Sequence, residues 1–535
     1  MYCCQRTEVR SRFKKRTMCS LFALIFVLSA LALPQDVLTY HNTTSRTGQN
    51  NHETILTPAN VNSATFGRLF TLPVDGKVDA QPLYLSAVTV SGVIHNLLIV
   101  ATEHDSVYAF DADTGLKIWQ VRTLKSGETT SDPRNCDQVV PEIGVTATPV
   151  ITRPKGSNPV IYVVAMSKDS SGNYHQRLHA LDATTGGELH NGPVEIQAKY
   201  PGTGDNSQNG YVIFDPSQYK ERAALLLTNG TIYLAWSSHC DSPPYTGWIM
   251  GYSQSLAQTT VLNVTPNGSG AGLWGSGCAT ASDPSYNIFV LAGNGDFDTT
   301  LNSSGFPADG DYGNGFLRVV NSHGLEVADY WEMDNQAAEN GNDLDLGSGG
   351  PLLVNVRDLK GNLWQLGIGA GKDGNLYVVD RTNMGKFNPG SNAIYQELDG
   401  VLPGGIWSTP AFSTALGLLY YGPVGSPIFA FQFHNAKLLP NPVAQTANSF
   451  GYPGASPSLS SNGSQNGIVW AAENSSPAVL HAYNGLTLKE IYNSNQAANG
   501  RDHFGNGNKF ITPTIANGKV YVGTTNSVGV FGLLK

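Results

Sequence analysis

The sequence predicts an all-β chain, a single eight-bladed β-propeller of four-stranded blades, and three observations carry that expectation. The first is composition: 59 Gly, 29 Pro and 10% aromatic residues, with only 14% charged, suit many short strands joined by tight turns. The second is a repeat. LIVATEHDSVYAFDADTGLKIW, from Leu98 to Trp119, sets out an apolar run, a charged turn, a second apolar run, Asp-x-x-Thr-Gly and a strand carrying Trp. The same order returns in IYVVAMSKD with LHALDATTGGEL (from Ile161 and Leu178), in LGIGAGKDGNLYVVDRTNMGKF (from Leu366) and in IVWAAENSSPAVLHAYNGLTLKEIY (from Ile468). Weaker copies begin at Ile232, Ile288, Leu419 and Val520, which makes eight at a spacing suited to propeller blades. The third is a series of small residues leading into Pro82, Pro149, Pro351, Pro410, Pro457 and Pro513. Proline donates no ladder bond, so these strands are expected at sheet edges, as the innermost strands around one channel.

The chain ends fit a ring. The last copy stops at Leu534 with three strands, and GRLFTLPV from Gly67 resembles the outer strand GLKIWQV from Gly115. The N-terminal strand is therefore expected to complete the last blade and close the ring. Ahead of it, Arg10, Arg12, Lys14, Lys15 and Arg16 precede an apolar run from Leu21 and an Ala30-Leu31-Ala32 site, the order of a secretory signal. The organisation read from sequence is a signal peptide at 1–32, an N-terminal extension at 33–64 and the propeller at 65–535. The expected location is secreted or periplasmic, with no membrane span after cleavage.

Without the signal the balance is 26 Lys and Arg against 40 Asp and Glu, which argues against nucleic acid and anionic membranes as partners. Cys136, Cys240 and Cys278 remain, enough for one disulfide and one free thiol; Cys240 could pair with either neighbour. No Gly-x-Ser-x-Gly elbow, His-Glu-x-x-His or phosphate-cradling loop is present. In a propeller of this topology, loops between a blade's second and third strands and links between blades open on one face. That face is expected to gather Asp79, Glu103, Asp241, Trp274, Asn294, Asp345 and Lys372.

The repeats resemble those of the quinoprotein alcohol dehydrogenase-like superfamily, whose best-known members hold pyrroloquinoline quinone (PQQ) and Ca²⁺ in the channel mouth. GKDGNLYVVDRTNMGKF is similar to the segment in which a Lys or Arg before Asn-Gly contacts the quinone, and Lys372 falls there. Upstream, NDLDLGSGG offers Asp345 as the catalytic base, with Asp343 as a rival. WGSGCATASDPSYNIFVLAGNGD resembles the segment whose Trp floors the quinone and whose Gly-Asn supplies a calcium ligand, giving Trp274 and Asn294. WSSHCDSPPYTG is similar to a Ser followed three residues on by a metal-binding Glu, giving Ser238 and Asp241, and Asp79 stands where the enzymes place a Glu near the quinone. The resemblance implies catalytic roles for Asp345 and Lys372, cofactor contacts from Trp274, Asp79, Ser238 and Lys372, and metal ligation by Asp241, Asn294 and Asp345.

The pattern also departs from the family. The enzymes' adjacent cysteines read Asn135-Cys136 here, Asp replaces Glu at two positions, and no Cys-x-x-Cys-His marks a c-type haem. An enzyme of this kind would pass electrons to a separate acceptor. The superfamily also contains scaffold propellers that bind no quinone, so the other expectation is a non-catalytic propeller that binds a small molecule or a protein at the channel mouth. Read as turns alone, Gly-Asn and Lys-Asp-Gly simply shape hairpins at Asn294 and Lys372.

Overall fold

The computed structural model describes residues 35–535; the expected signal peptide lies outside the described residues. Eight sheets follow one another along the chain, each built as a meander of antiparallel strands. The first blade comprises Leu83–Val90, Val93–Ala101, Ser106–Asp111 and Lys117–Arg122. The third is Leu226–Thr228, Thr231–Ala235, Trp248–Ser253 and Gln258–Asn263. The fourth is Thr280–Ser282, Ile288–Leu291, Phe316–Asn321 and Leu325–Trp331, and the fifth is Leu352–Arg357, Leu363–Ala370, Leu376–Asp380 and Gln396–Leu398. Each copy of the repeat found in the sequence supplies the second and third strands of one blade. Small extra sheets, such as Lys199–Pro201 with Tyr211–Ile213, decorate the links.

The eighth blade is completed from the other end of the chain. Phe66–Pro73 pairs antiparallel with Ser527–Leu533, from Phe66 opposite Leu533 to Pro73 opposite Ser527, as expected from GRLFTLPV. First strands of consecutive blades approach one another, including Leu83–Val90 of blade 1 and Thr514–Ala516 of blade 8. Hydrophobic side chains fill the spaces between sheets: one cluster joins Leu98, Val100 and Phe110 of blade 1 to Ile161 and Val163 of blade 2 and Val528 and Val530 of blade 8.

The Asp-x-x-Thr-Gly signature has a local cause. Asp111 Oδ1 accepts from the backbone N–H of Asp113 and Thr114 and from the Thr114 hydroxyl, which caps the turn, and Gly115 takes φ 78° to leave it. In blade 2 Asp182 Oδ1 likewise accepts from the N–H and hydroxyl of Thr184, one residue earlier in the turn, and Gly186 takes φ 73°. The aromatic residue of an outer strand docks on the turn of the next blade. Trp119, on the outer strand of blade 1, donates from Nε1 to Ala183 O at 3.0 Å, and its ring lies where a Cβ on Gly186 would come within 2.8 Å. Phe70, on the borrowed outer strand of blade 8, packs against Gly115 of blade 1 in the same way.

Residues 37–53 lie inside the ring and visit the inner strand region of every blade. Val37 pairs with Tyr84 of blade 1, and Leu38 O accepts from Ile151 N of blade 2. Arg46 reaches Leu225 O at the entry to blade 3; Thr44, Ser45 and Thr47 accept from Ser282, Leu353 and Phe412 of blades 4, 5 and 6. Gly48 accepts from Leu459 of blade 7, where Gln49–Asn50 adds as a parallel strand, and Asn50 Nδ2 donates to Ile515 O of blade 8. Inner strands are sheet edges with unpaired N–H groups, and this strap satisfies them. Arg46 and His41 are fully buried in it.

Candidate active site at the channel mouth

Seven of the eight links between blades converge on one cavity. Its lining takes Gln138 from the first link, Arg222 from the second, Trp274 and Ser276 from the third and Asp345 and Ser348 from the fourth. Trp407, Tyr452 and Phe510 come from the fifth, sixth and seventh links, while Asp241 and Lys372 come from loops between second and third strands of blades 3 and 5. These are the two loop classes expected to share a face.

The acidic side is tightly built. Asp345 is 2% exposed; its Oδ1 accepts from Asn294 N at 2.5 Å and its Oδ2 lies 2.5 Å from Lys372 Nζ. Lys372 also meets Asp343 Oδ1 at 2.7 Å, and Asn294 Nδ2 donates to the same oxygen at 2.9 Å. Asn314 ties this corner together by donating to Asn294 Oδ1 and accepting from Leu346 N. Gly293 is required where it stands, because a Cβ there would fall 2.8 Å from Asp345 Oδ1 and 2.9 Å from Trp274 Cδ1. Trp274 therefore packs beside the acids, and its buried Nε1 has no hydrogen-bond partner among the described residues.

Asp241, Asp343 and Asp345 each offer a carboxylate oxygen, all within 4.8 Å of one another. Burial pushes the Asp345 carboxyl up to about 6; Lys372 pulls it down and the Asp241 charge pushes it further up. Burial works against the charged form of Lys372, but Asp345 and Asp343 hold its ammonium above the ordinary value. Three hard anionic donors with an amide beside them fit a hard cation of high charge.

The remaining sequence candidates are placed around this core. Asp241 is braced by Tyr245, whose hydroxyl donates to Oδ1 at 2.9 Å, and by its own N–H, which donates to Ser238 Oγ at 3.1 Å. Ser238 is fully buried and supports Asp241 from behind, whereas Ser276 and Ser348 line the cavity. Asp79 stands off the lining: Asn508 donates to its Oδ1 at 2.5 Å, Lys77 lies 3.8 Å away, and Glu103 is its acidic neighbour. Cys136 pairs with Cys240, leaving Cys278 free and buried. That disulfide ties the link carrying Gln138 to the loop carrying Asp241.

Sequence reasoning did not find Arg222, Trp407, Tyr452 or Phe510. A signal was present for the aromatics: Trp407 and Phe510 each stand three residues before an inner-strand proline, in WSTP and FITP. Their rings form an arc, with centroids 6.0 Å apart for Trp407 and Tyr452 and 6.2 Å for Tyr452 and Phe510. The free space they leave is about 40 Å³, room for one or two waters. The lining offers aromatic faces and positive groups that suit a flat, carboxylated ring in chemistry, while its free space is smaller than such a ring.

No family model matches the sequence, and no curated protein matches it. Solved structures do match. A quinohemoprotein alcohol dehydrogenase from Comamonas testosteroni is 14% identical with a TM-score of 0.60, covering 93% of this chain and 80% of the other. A quinohemoprotein alcohol dehydrogenase from Pseudomonas putida HK5 gives 13%, 0.59, 93% and 80%, and a europium-containing methanol dehydrogenase gives 12%, 0.58, 93% and 98%. Eight antiparallel blades, five of four strands and three with a fifth, a borrowed closing strand and these likenesses together show that the chain has the propeller fold of the quinoprotein dehydrogenases.

Proposed function

We propose that this chain is an exported, cation-dependent oxidoreductase of the quinoprotein type, acting on a small hydroxyl-bearing substrate at the channel mouth and passing electrons to a separate acceptor. The observation that carries the reading is convergence: Asp241, Trp274, Asp345 and Lys372, singled out from separate repeats, line one cavity. Asp241, Asp343 and Asp345 would hold the cation, with the Asn294 amide beside them. Ca²⁺ suits oxygen donors, and a third carboxylate adds charge that favours a trivalent ion, a choice in keeping with the europium of one structural neighbour. PQQ, if bound there, would supply a two-electron acceptor, and a cation held by these carboxylates would supply Lewis acidity beside it.

The chain's own residues have definable tasks. Asp345, buried and with a proton affinity near neutrality, takes the substrate hydroxyl proton as the carbon is oxidised. Lys372 holds Asp343 and Asp345 in place and balances negative charge that develops beside them. Trp274 supplies the flat wall, and Ser238 and Tyr245 keep Asp241 aimed at the acids. Among the described residues no helix is long and apolar enough to cross a membrane, and the signal-like N-terminus supports export.

The small free volume favours a second reading, a propeller that binds a ligand at this mouth without catalysis. A titration with PQQ in the presence of Ca²⁺ or Eu³⁺ separates the two, followed by tryptophan quenching and by reduction of an electron-accepting dye with alcohols and sugars. The oxidoreductase reading expects saturable, cation-dependent quenching that Trp274→Ala abolishes, with dye reduction. Absence of both at micromolar quinone leaves the binding propeller.

A further inference from the structure

Arg222 is a buried charge without a partner. The residue is 5% exposed, yet among the described residues no carboxylate lies within ion-pair distance of its guanidinium and no side chain or backbone group hydrogen-bonds it. The nearest acids act on it only from beyond contact: Asp79 Oδ1 accepts from Asn508 and Glu103 Oε2 accepts from Gly144 N and Thr146 Oγ1, while Asp79 Oδ2 and Glu103 Oε1 hydrogen-bond nothing among the described residues. Two residues away, Lys220 is fully buried, with Nζ 2.9 Å from Gln138 Oε1 and no carboxylate in contact. Burial and the neighbouring Arg222 bring the Lys220 ammonium down to about 7. The cavity wall therefore carries a guanidinium that no carboxylate contacts, with the Lys220 ammonium buried behind it and the charges of Asp79 and Glu103 acting on both only from beyond contact. A buried charge is costly unless paired, and leaving one open toward a cavity is the mark of a site for its counter-ion.

The guanidinium is also held for display. Phe510 stacks on it with Arg222 Cζ 3.7 Å from the ring centroid, and Phe510 adopts φ 64°, a left-handed conformation that a bulky side chain takes only when its surroundings impose it. Stacking fixes the plane and leaves the edge N–H groups free, the arrangement that receives two oxygens of a planar anion. The space beside it takes a group the size of one or two waters, about that of a carboxylate.

We propose that Arg222 anchors a carboxylate-bearing ligand in the channel-mouth cavity, its plane set by Phe510. The carboxylate belongs either to the quinone or to an acidic substrate such as a sugar acid. This assignment concerns the same cavity as the proposed function but does not depend on the quinone.

The test is thermal unfolding of the full mature chain with three probes: gluconate and sorbitol, its neutral counterpart, in chelator, and PQQ in the presence of Ca²⁺. Gluconate or PQQ is expected to raise the melting temperature saturably while sorbitol at equal concentration does not, and Arg222→Gln is expected to weaken that binding at least tenfold. Without ligand, Arg222→Gln should melt at or above the parent, because it removes an unpaired buried charge. Protection by PQQ alone assigns the carboxylate to the quinone; protection by gluconate alone assigns it to the substrate and stands even if the quinone reading fails. Equal effects of gluconate and sorbitol with no effect of PQQ, or unchanged binding in Arg222→Gln, overturn the proposal. Should that variant not fold, the three-probe comparison on the parent chain decides.

Discussion

Asp345 shows at the scale of one residue how the site stores its chemistry. Its ordinary value is 3.8 and burial brings it to about 6, so between these values the native chain holds a proton that the unfolded chain has released. Native stability from this group therefore falls as pH rises from about 4 to 6, and a cation that binds only the ionised form offsets the loss above 6. Cation affinity measured by thermal shift is expected to fall about tenfold per pH unit below 6 and level off above it. Asp345→Asn should remove that pH dependence and weaken binding by about 10–100-fold. Of these residues the sequence pointed to Asp345, Lys372, Trp274, Asn294 and Asp241 through the resemblance of their segments to those of the quinoprotein dehydrogenases. Asp343 was seen only as a rival, since sequence spacing cannot tell that both carboxylates of Asp-Leu-Asp face Lys372. Arg222 was invisible because its meaning lies in the partner it lacks, which only packing reveals.

Among the elements, the strap at 37–53 was the largest surprise. Its sequence, rich in Thr, Asn and Gly, reads as an irregular extension, and irregular it is: its order comes from inner-strand N–H groups of the blades rather than from its own periodicity. Arg46 is its pin, with Nε 2.8 Å from Thr280 O and Nη1 2.8 Å from Thr39 Oγ1 and 3.0 Å from Tyr40 O. Arg46→Ala strands these acceptors, and a loss on the order of 3 kcal/mol is expected in urea unfolding. A loss below about 0.5 kcal/mol would mean that the strap is laid on the ring rather than holding it. The Asp-x-x-Thr-Gly turns were legible because a capping Asp and a glycine at positive φ are local requirements. Docking of Trp119 against Gly186 of the next blade was not, because it joins residues of two repeats.

For the whole molecule, eight repeats and an unpaired terminal strand were enough to give the architecture, since a ring of sheets is the arrangement that leaves neither end with an open edge. The ring brings links from seven blade junctions to one mouth, so residues scattered from Gln138 to Phe510 share a cavity. The central claim is that carboxylates of separate blades meet there as a cation site beside Trp274. Terbium luminescence, excited through tryptophan, tests this most directly, because Trp274 packs against Asp345. The account predicts saturable sensitised emission, displaced by Ca²⁺ or Eu³⁺, weakened in Trp274→Phe and lost in the Asp241→Asn, Asp345→Asn double variant. Emission that is absent, or that survives the double variant unchanged, would contradict it.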